Sequence, residues 1–382
     1  MLGDPNTHFV PTEYRVLGKL PELFLMNDGK EVQTQADWEI RRKEMLETAV
    51  TLQYGTMPPK PEFLDVEALY LSKNWSTYRI TTGKRDVPIS FIMRVSRPLM
   101  LEKNARFPVI VDGDGCFSTF YNHEFVNVPL ETGIGIALFD RTEIVSDVRE
   151  NGRCGGLYDV YPEYTFGALG AWAWGYSRCV DALLKLDLVD PDWIVFSGLS
   201  RGAKTAMLAG VLDERAVIVN PQQSCAGSCS CYRTTMQGTD ENGVLKRSEE
   251  LSDLLDKFAF WMGEGMQDYA SDPASLPFDA HFLKALIAPR TLLVGEGIHD
   301  IWANPLGSWQ TSMAAKEAFA FLGVEENLLW YFRDGGHRHT PEDMRMLVNL
   351  ILHKKNGTPL SNEFFRRPFD EPELLFEKKY TK

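Results

Sequence analysis

Short apolar segments alternate with helical segments along most of the chain, and this alternation is the feature that most constrains its fold. Helices are predicted over about Phe166 to Leu186 and over Arg201 to Leu212. Strands that are apolar throughout are buried on both faces, which is typical of a parallel sheet covered by helices. The sequence therefore predicts an α/β fold with a mostly parallel central sheet and helices on both faces. The predicted strands are Phe107 to Val111, Ile134 to Phe139, Trp193 to Ser197, Ala216 to Val219, Thr291 to Gly295 and Leu328 to Phe332.

The chain has 382 residues, and neither an internal repeat nor a low-complexity segment divides it. We predict a single domain over residues 1–382. Residues 1–75 are predicted as an N-terminal extension, with an irregular arm followed by a helix from Asp37. Residues 225–278 are too long for a connector and are predicted as a helical insertion over the active site. The charged part of this insertion, Arg247 to Asp256, is predicted as a solvated helix face.

Composition limits the possible partners and location. Acidic residues outnumber basic residues by 53 to 40, and the net charge is −13. Phosphate backbones repel such a surface, so nucleic acid is not a predicted partner. No segment approaches the roughly 20 apolar residues of a membrane helix, so a membrane is not a predicted partner either. The N-terminus lacks the pattern of a signal peptide, which predicts a cytoplasmic protein, or a secreted one if a leader has been removed. The oligomeric state is left open.

The cysteines do not indicate a disulfide scaffold, because six in a chain of this length are too few. Cys225, Cys229 and Cys231 form a cluster, but no neighbouring His or Cys supplies a fourth soft ligand. We predict buried or loop thiols there, and a local disulfide stays open for an exported protein. No metal and no other cofactor is predicted.

Gly198, Ser200 and Gly202 form a G-x-S-x-G pattern between the apolar run WIVFS and the helical segment AKTAMLAG. A strand, a sharp turn and a helix in this order are the context of a nucleophile elbow, which exposes the serine hydroxyl. The N-terminus of the helix also directs positive partial charge at that hydroxyl. Ser200 is therefore predicted as a nucleophile, and an ordinary strand-to-helix turn is the alternative.

A serine nucleophile needs a general base, and the base needs an acid that orients it. In this arrangement the acid and the histidine follow the serine in the chain, on loops after later strands. Asp300 lies just beyond the strand TLLVG, and both His337 and His339 lie beyond the strand NLLWYF. Glu296 and Asp334 are weaker candidates for the acid. The loop position alone does not choose between the two histidines.

Several longer segments together resemble a known family. The similarity extends from about Trp38 to the C-terminal helix and resembles carbohydrate esterase family 15, the glucuronoyl esterases of the α/β-hydrolase superfamily. The resemblance implies a serine esterase that needs no cofactor and acts on a carbohydrate ester. The family's substrates are esters of 4-O-methyl-glucuronic acid that tie xylan to lignin alcohols. The segments are GALGAWAWGYSRCVDAL, SGLSRGAKTAMLAG, PFDAHFLKALIAPRTLLV, NPLGSWQTSMAAKEAFAFLG and GGHRHTPED.

The resemblance also implies roles for individual residues. Ser200 matches the family nucleophile, and His339 corresponds to the catalytic histidine. Arg201 matches an arginine whose backbone N–H and guanidinium help to hold the oxyanion. Four residues correspond to positions that contact or enclose the sugar, and for Glu264 and Gln267 a polar helix face is the alternative. The predicted substrate-binding residues are Lys204, Trp302, Glu264 and Gln267.

The sequence departs from the family pattern in two places. Leu199 and Thr340 stand where family members often carry a pair of cysteines joined in a disulfide. Gln223 stands where many members have the acid, within a Q-E-S segment that is Gln-Gln-Ser here. A neutral amide cannot stabilise an imidazolium as a carboxylate does, so Asp300 is predicted as the acid.

The predicted reaction is ester hydrolysis through an acyl-enzyme, with Ser200 as nucleophile, His339 as base and Asp300 as its partner. The oxyanion is expected to be held by Arg201 and by an N–H of the loop Asp112–Gly115. An acetyl esterase acting on acetylated xylan or other sugars would use the same triad and is the alternative. A catalytically inactive carbohydrate-binding relative and an acyl transferase are the remaining hypotheses.

Overall fold

The computed structural model describes residues 13–102, 105–366, 369 and 372–381, without the side chain of Phe365. Residues 1–12 of the predicted N-terminal arm lie outside the described residues. No helix in the described ranges has the length and apolar character needed to cross a lipid bilayer. The strands are β1 Glu13–Val16, β2 Phe63–Leu71, β3 Trp75–Gly83, β4 Pro88–Ser96, β5 Phe107–Asp112, β6 Gly135–Phe139, β7 Val189–Leu199, β8 Ala216–Gln222, β9 Thr234–Thr239, β10 Leu245–Arg247, β11 Thr291–Gly297 and β12 Leu328–Arg333. The α-helices are α1 Gln35–Met45, α2 Leu52–Tyr54, α3 His123–Glu131, α4 Leu157–Val160, α5 Ala168–Lys185, α6 Arg201–Leu212, α7 Leu251–Phe258, α8 Ala280–Ala285, α9 Pro305–Phe321 and α10 Pro341–Asn356.

A nine-stranded sheet has the order β12-β11-β8-β7-β5-β6-β4-β3-β2. Neighbouring strands from β12 to β6 are parallel, whereas β6, β4, β3 and β2 pair in antiparallel fashion. The predicted mostly parallel central sheet is confirmed. Strand β2 was not predicted from the sequence, and it is an edge strand whose residues are largely exposed.

The central strands send successive side chains into two separate apolar layers. Val109 and Val111 of β5 pack in one layer, and Ile110 between them packs in the other. The first layer includes apolar residues of α5 and α6, and the second includes those of α3 and α10. Because both faces are covered, every residue of β5 is buried. This two-sided burial explains the unbroken apolar runs of the sequence.

The segment 225–278 differs from its prediction, because it is only partly helical. It contains the antiparallel strands β9 and β10, the helix α7 and three 3-10 turns. Strand β1 pairs with the other side of β9, so the small sheet has the order β1-β9-β10. The segment packs against the first turn of α6 through contacts described below.

His281 of α8 is a buried histidine outside the predicted site. Its side chain is 1% exposed, and Nε2 lies 2.9 Å from the carbonyl oxygen of Pro21. Burial lowers the pKa of His281 from its usual 6.5 to about 4, although the nearby carboxylate of Asp279 opposes the shift. The charges of Arg233 and Arg41 act in the same direction as burial. The folded protein therefore holds this imidazole neutral.

We expect His281 to make the protein less stable in mild acid. Between pH 6.5 and about 4 the unfolded chain binds a proton at this histidine and the folded chain does not. The free energy of unfolding should therefore fall by about 3 kcal/mol as the pH drops through that window. Urea unfolding at several pH values should show a shallower pH dependence for His281→Phe than for the wild type. Parallel pH dependences would contradict this assignment.

Candidate active site

Ser200 forms the sharp turn between β7 and α6. Its backbone has φ 59° and ψ −117°, a conformation that costs a non-glycine residue about 1–3 kcal/mol. The N–H of Ser200 donates to the carbonyl of Gln222 on the neighbouring strand β8 at 2.9 Å. Its carbonyl accepts from the N–H of Lys204 at 3.0 Å, which closes the first turn of the helix. The predicted strand, turn and helix are confirmed, and the backbone of a nucleophile elbow is present.

Asp114 supports the elbow from beneath, a contact that the sequence analysis missed. Its Oδ2 accepts from the N–H of Leu199 at 2.8 Å, and its Oδ1 pairs with the buried guanidinium of Arg141. A Cβ on Gly202 would lie 2.2 Å from Oδ1 of Asp114, so only glycine allows this approach. A Cβ on Gly198 would lie 2.4 Å from the carbonyl oxygen of Gly202. Both glycines of the motif are therefore explained by close packing.

We expect Gly202→Ala to destabilise the protein by about 2 kcal/mol, because the buried carboxylate of Asp114 must move away from Leu199. The free energy of unfolding in urea measures this loss. Gly18→Ala is the matched control, since its Cβ would meet only the Cβ of Ala274 at 3.9 Å. Equal stability of the two variants would contradict the packing argument.

A histidine and an aspartate meet at the carboxyl ends of β11 and β12. The Nδ1 atom of His337 lies 2.5 Å from Oδ2 of Asp300. The Asp300 side chain is 3% exposed, and that of His337 is 38% exposed. A hydrogen bond at Nδ1 leaves Nε2 as the ring nitrogen that can accept a proton. The structure thus brings together Asp300 and His337, whereas the sequence analysis had predicted His339 as the partner of Asp300.

His339 lies in a different environment. Its ring packs edge-on against Phe125, with 4.7 Å between the ring centroids. Its Nε2 is buried and has no hydrogen-bond partner among the described residues. Burial lowers the pKa of His339 below its usual value. The prediction that Asp300 orients His339 is wrong, because residues two apart in this loop point to different sides.

The guanidinium of Arg201 is held at the first turn of α6. Its Nη1 donates to Oδ2 of Asp147 at 2.9 Å, and it lies over the ring of Trp261 at 4.8 Å from the centroid. The indole N–H of Trp261 donates to the other oxygen of Asp147 at 2.9 Å. Asp147 therefore fixes both side chains at the start of α6. The sequence analysis missed Asp147 and Trp261.

The loop Asp112–Gly115 does not offer the oxyanion donor that the sequence analysis expected. The N–H of Gly113 donates to the hydroxyl of Tyr176 at 2.9 Å, and that of Asp114 donates to Oδ1 of Asp112 at 2.8 Å. The N–H of Gly115 donates to the carbonyl of Phe139 at 3.0 Å. These three N–H groups are used within the fold, so this part of the prediction is wrong. The first N–H groups of α6 have no acceptor within the helix.

Lys204 is a buried member of an ion pair and does not extend into an open cleft. Its side chain is 2% exposed, and Nζ lies 3.3 Å from Oε2 of Glu249. The ammonium also donates to the carbonyls of Ser224, at 2.5 Å, and of Ala226. Burial raises the pKa of Glu249, although the charge of Lys204 opposes that shift. Glu249 belongs to the stretch predicted as a solvated face, and its burial corrects that prediction at this position.

Trp302 lies next to both the acid and this ion pair. It is part of a 3-10 turn that begins after Asp300, whose side chain accepts from the N–H of Ala303 at 3.3 Å. The carbonyl of Trp302 accepts from the N–H of Glu249 at 3.0 Å, and Nζ of Lys257 lies 4.8 Å from the centroid of the indole ring. Trp302 is partly exposed. The structure therefore joins Asp300, Trp302 and Glu249, and the ion pair of Glu249 with Lys204 was not predicted from the sequence.

The family is decided by a match between the sequence and a family model. Residues 80–323 match the model described as glucuronyl esterase of fungi. The chain belongs to the glucuronoyl esterases, carbohydrate esterase family 15. A 4-O-methyl-glucuronoyl methylesterase of Hypocrea jecorina is 31% identical over 342 residues, which cover 88% of this chain and 69% of that protein. One of Schizophyllum commune is 28% identical over 353 residues, which cover 91% of this chain and 85% of that protein.

Solved structures of this family have the same fold. A family 15 glucuronoyl esterase from Caldicellulosiruptor kristjansonii superposes with a TM-score of 0.80 at 28% identity, covering 94% of this chain and 96% of that chain. The catalytic domain of the glucuronoyl esterase of Hypocrea jecorina gives 0.76 at 28% identity and covers 94% of each chain. The predicted family, the α/β-hydrolase fold and the class of carboxylic-ester hydrolase are confirmed.

Glu264 and Gln267 lie on a 3-10 turn and are exposed. The residue before this turn, Gly263, donates its N–H to the carbonyl of Gln53 at 2.7 Å. A Cβ on Gly265 would lie 2.7 Å from the side chain of Leu52, so the turn packs against α2. No hydrogen bond among the described residues joins Glu264 or Gln267 to the elbow or to Asp300. Their role in sugar binding stays a prediction.

The two weaker candidates for the acid do not contact His337. Glu296 is buried at the end of β11, and desolvation raises its pKa to about 8, so its carboxyl group is mostly neutral at pH 7. Asp334 is 80% exposed and lies 2.9 Å from Nε2 of His299. Asp300 is thus the carboxylate that meets His337 in the described part of the chain.

The three clustered cysteines are free, buried thiols. Burial raises the pKa of Cys225, Cys229 and Cys231, so the thiol form predominates at neutral pH. Cys231 lies 3.5 Å from Oδ2 of Asp279. In the described ranges, no group of three or more His, Cys, Asp or Glu side chains is arranged to hold a metal ion.

Proposed function

We propose that the protein hydrolyses esters of 4-O-methyl-glucuronic acid on xylan through Ser200, His337 and Asp300. The contact of 2.5 Å between Nδ1 of His337 and Oδ2 of Asp300 is the observation that carries the proposal. The acid and the histidine follow β11 and β12, on the edge of the sheet where β7 ends just before Ser200. The relatives named 4-O-methyl-glucuronoyl methylesterases support the substrate class.

The reaction begins with attack of the Ser200 hydroxyl on the ester carbonyl. Nε2 of His337 accepts the hydroxyl proton, because Nδ1 donates to Asp300. The carboxylate of Asp300 keeps the ring in this tautomer and stabilises the imidazolium that forms. His337 then protonates the departing alcohol, and a water molecule hydrolyses the acyl-enzyme by the same proton transfers in reverse order.

The negative charge that develops on the carbonyl oxygen is stabilised at the start of α6. The N–H of Arg201 has no partner within the helix, and the guanidinium of the same residue stays beside it through Asp147 and Trp261. A fixed donor and a fixed charge stabilise the tetrahedral intermediate without reorganisation. This arrangement replaces the donor that the sequence analysis expected from the loop Asp112–Gly115.

The uronate ring is expected to bind beside Trp302. The indole is partly exposed and offers an apolar surface, and its backbone carbonyl accepts from the N–H of Glu249, whose buried carboxylate pairs with Lys204. Because Lys204 already has three oxygen neighbours, it acts here mainly by holding Glu249. The acyl side of the ester would therefore carry the sugar.

The proposal is tested by the hydrolysis of three esters by the wild type and by Ser200→Ala. The esters are benzyl glucuronate, methyl 4-O-methyl-glucuronate and an acetylated xylo-oligosaccharide. We expect turnover of both uronate esters, faster for the 4-O-methylated sugar, and none by the variant. Acetate release without uronate turnover would contradict the proposal in favour of an acetyl esterase. Inactivity on all three esters, with no covalent labelling by a fluorophosphonate, would support a catalytically inactive relative.

A further inference from the structure

The backbone on both sides of His337 is bound by side chains from distant parts of the chain. The N–H of Gly336 donates to Oε2 of Glu241 at 2.9 Å, from the turn between β9 and β10. The N–H of Arg338 donates to the amide oxygen of Gln223 at 2.8 Å, just beyond β8. The histidine therefore lies between two backbone groups whose positions are fixed from outside its own loop.

The carbonyl groups on both sides of His337 are bound as well. Nη2 of Arg333 donates to the carbonyl of Gly336 at 2.9 Å and to that of Arg338 at 2.6 Å. Nε of Arg333 is itself held 3.1 Å from the buried carboxylate of Asp343. The two peptide units that flank His337 are therefore held, one through the carbonyl of Gly336 and the other through the N–H of Arg338, and the bonds of Glu241 and Arg333 hold the next unit on each side.

Gln223 is the innermost of these contacts. Its side chain is fully buried, and its backbone has φ 51°. Its N–H donates to the carbonyl of Gly295 on β11 at 2.8 Å. The amide Nε2 is buried and has no hydrogen-bond partner among the described residues. The NH₂ group of this amide makes no hydrogen bond among the described residues. The side chain therefore contributes to the site through its oxygen, which accepts from the N–H of Arg338.

We propose that Gln223 is a positioning residue that holds His337 over Asp300 by accepting the N–H of Arg338. The inference rests on the proposed function, in which His337 is the base. A misplaced base reduces the rate of the chemical step, while sugar binding elsewhere in the pocket is unaffected. The effect of Gln223 should therefore appear in kcat rather than in KM.

Two substitutions separate the acceptor from the charge. Gln223→Met keeps the length and approximate volume of the side chain but removes the acceptor. Gln223→Glu keeps an acceptor and adds a negative charge near the imidazole, among the existing charges of Asp300, Glu241, Arg333 and Arg338. A carboxylate near His337 stabilises the imidazolium, so the acid limb of the pH–rate profile should move to higher pH.

The experiment measures the pH dependence of hydrolysis and of fluorophosphonate labelling, each per active site. For Gln223→Met we expect kcat to fall about 10- to 100-fold, with KM changed by less than about twofold. For Gln223→Glu we expect a plateau kcat within about threefold of the wild type and an acid limb about one pH unit higher. Gln310→Met is the control, since Gln310 is a buried glutamine of α9 that bonds Thr234 and Glu373.

The value of kcat is calculated from the concentration of active sites that react with the fluorophosphonate. A variant that is partly unfolded therefore does not give the same result as a folded variant with a reduced kcat. The inference is overturned if Gln223→Met keeps the wild-type kcat, if both Gln223 variants lose kcat equally, or if the acid limb of Gln223→Glu does not move. If the wild type hydrolyses no uronate ester but reacts with the fluorophosphonate at a normal rate, the proposed substrate is refuted. The role of Gln223 is then still decided by the labelling rates of the two Gln223 variants. A wild type that does not label would refute the proposed mechanism, and the inference with it.

Discussion

His337→Phe should lower kcat/KM by about four powers of ten, whereas His339→Phe should lower it by less than about threefold. Phenylalanine keeps a ring in each position and removes the nitrogen atoms. At residue 337 this removes the ring nitrogen that is bound to Asp300. At residue 339 it replaces a ring that packs against Phe125 and whose Nε2 has no described partner.

The measurement is hydrolysis of benzyl glucuronate by both variants, with thermal unfolding to show that each is folded. His339→Phe should unfold at or above the wild-type temperature, because a phenyl ring leaves no buried nitrogen without a partner. The opposite order of activities would make His339 the base and would contradict the geometry. Equal and small losses would exclude a histidine base in this loop.

The two histidines show how far the sequence could locate the site. The apolar runs and the G-x-S-x-G pattern correctly predicted the sheet, the elbow and the two loops in which Asp300 and His337 meet. Residues 337 and 339 are separated by Arg338 only, and loop position cannot tell which ring faces Asp300. That choice depends on bonds to Gln223 and Glu241, which are about 100 residues away in sequence.

The remaining differences have the same physical origin. Lys204 was expected to contact sugar, but its ammonium is bound by Glu249, 45 residues later in the chain. The loop Asp112–Gly115 was expected to hold the oxyanion, but its N–H groups bond to Tyr176 and Phe139. The family resemblance indicated the ammonium of Lys204, and the position of the loop indicated the N–H groups of Asp112–Gly115. Only the tertiary structure shows which acceptor already forms a hydrogen bond with each of these donors.

Asp300→Asn should lower kcat by about 10³- to 10⁴-fold, with little change in KM. The carboxylate of Asp300 accepts from Nδ1 of His337 and so leaves Nε2 able to take the proton of Ser200. An asparagine can turn its NH₂ group towards Nδ1, which would shift the ring proton to Nε2 and abolish the base. The imidazolium would also lose its negatively charged partner. Steady-state kinetics on benzyl glucuronate at pH 7 measure the effect.

Two further carboxyl groups supply the controls for this prediction. Asp334→Asn should stay within about threefold of the wild type, because Asp334 is 80% exposed and pairs with His299. Glu296→Gln should also stay within about threefold at pH 7, because the pKa of Glu296 is raised to about 8 and the amide mimics its neutral form. A large loss in Glu296→Gln, with activity kept in Asp300→Asn, would transfer the role of the acid to Glu296. Loss in Asp300→Asn alone would make its contact with His337 the one on which catalysis depends.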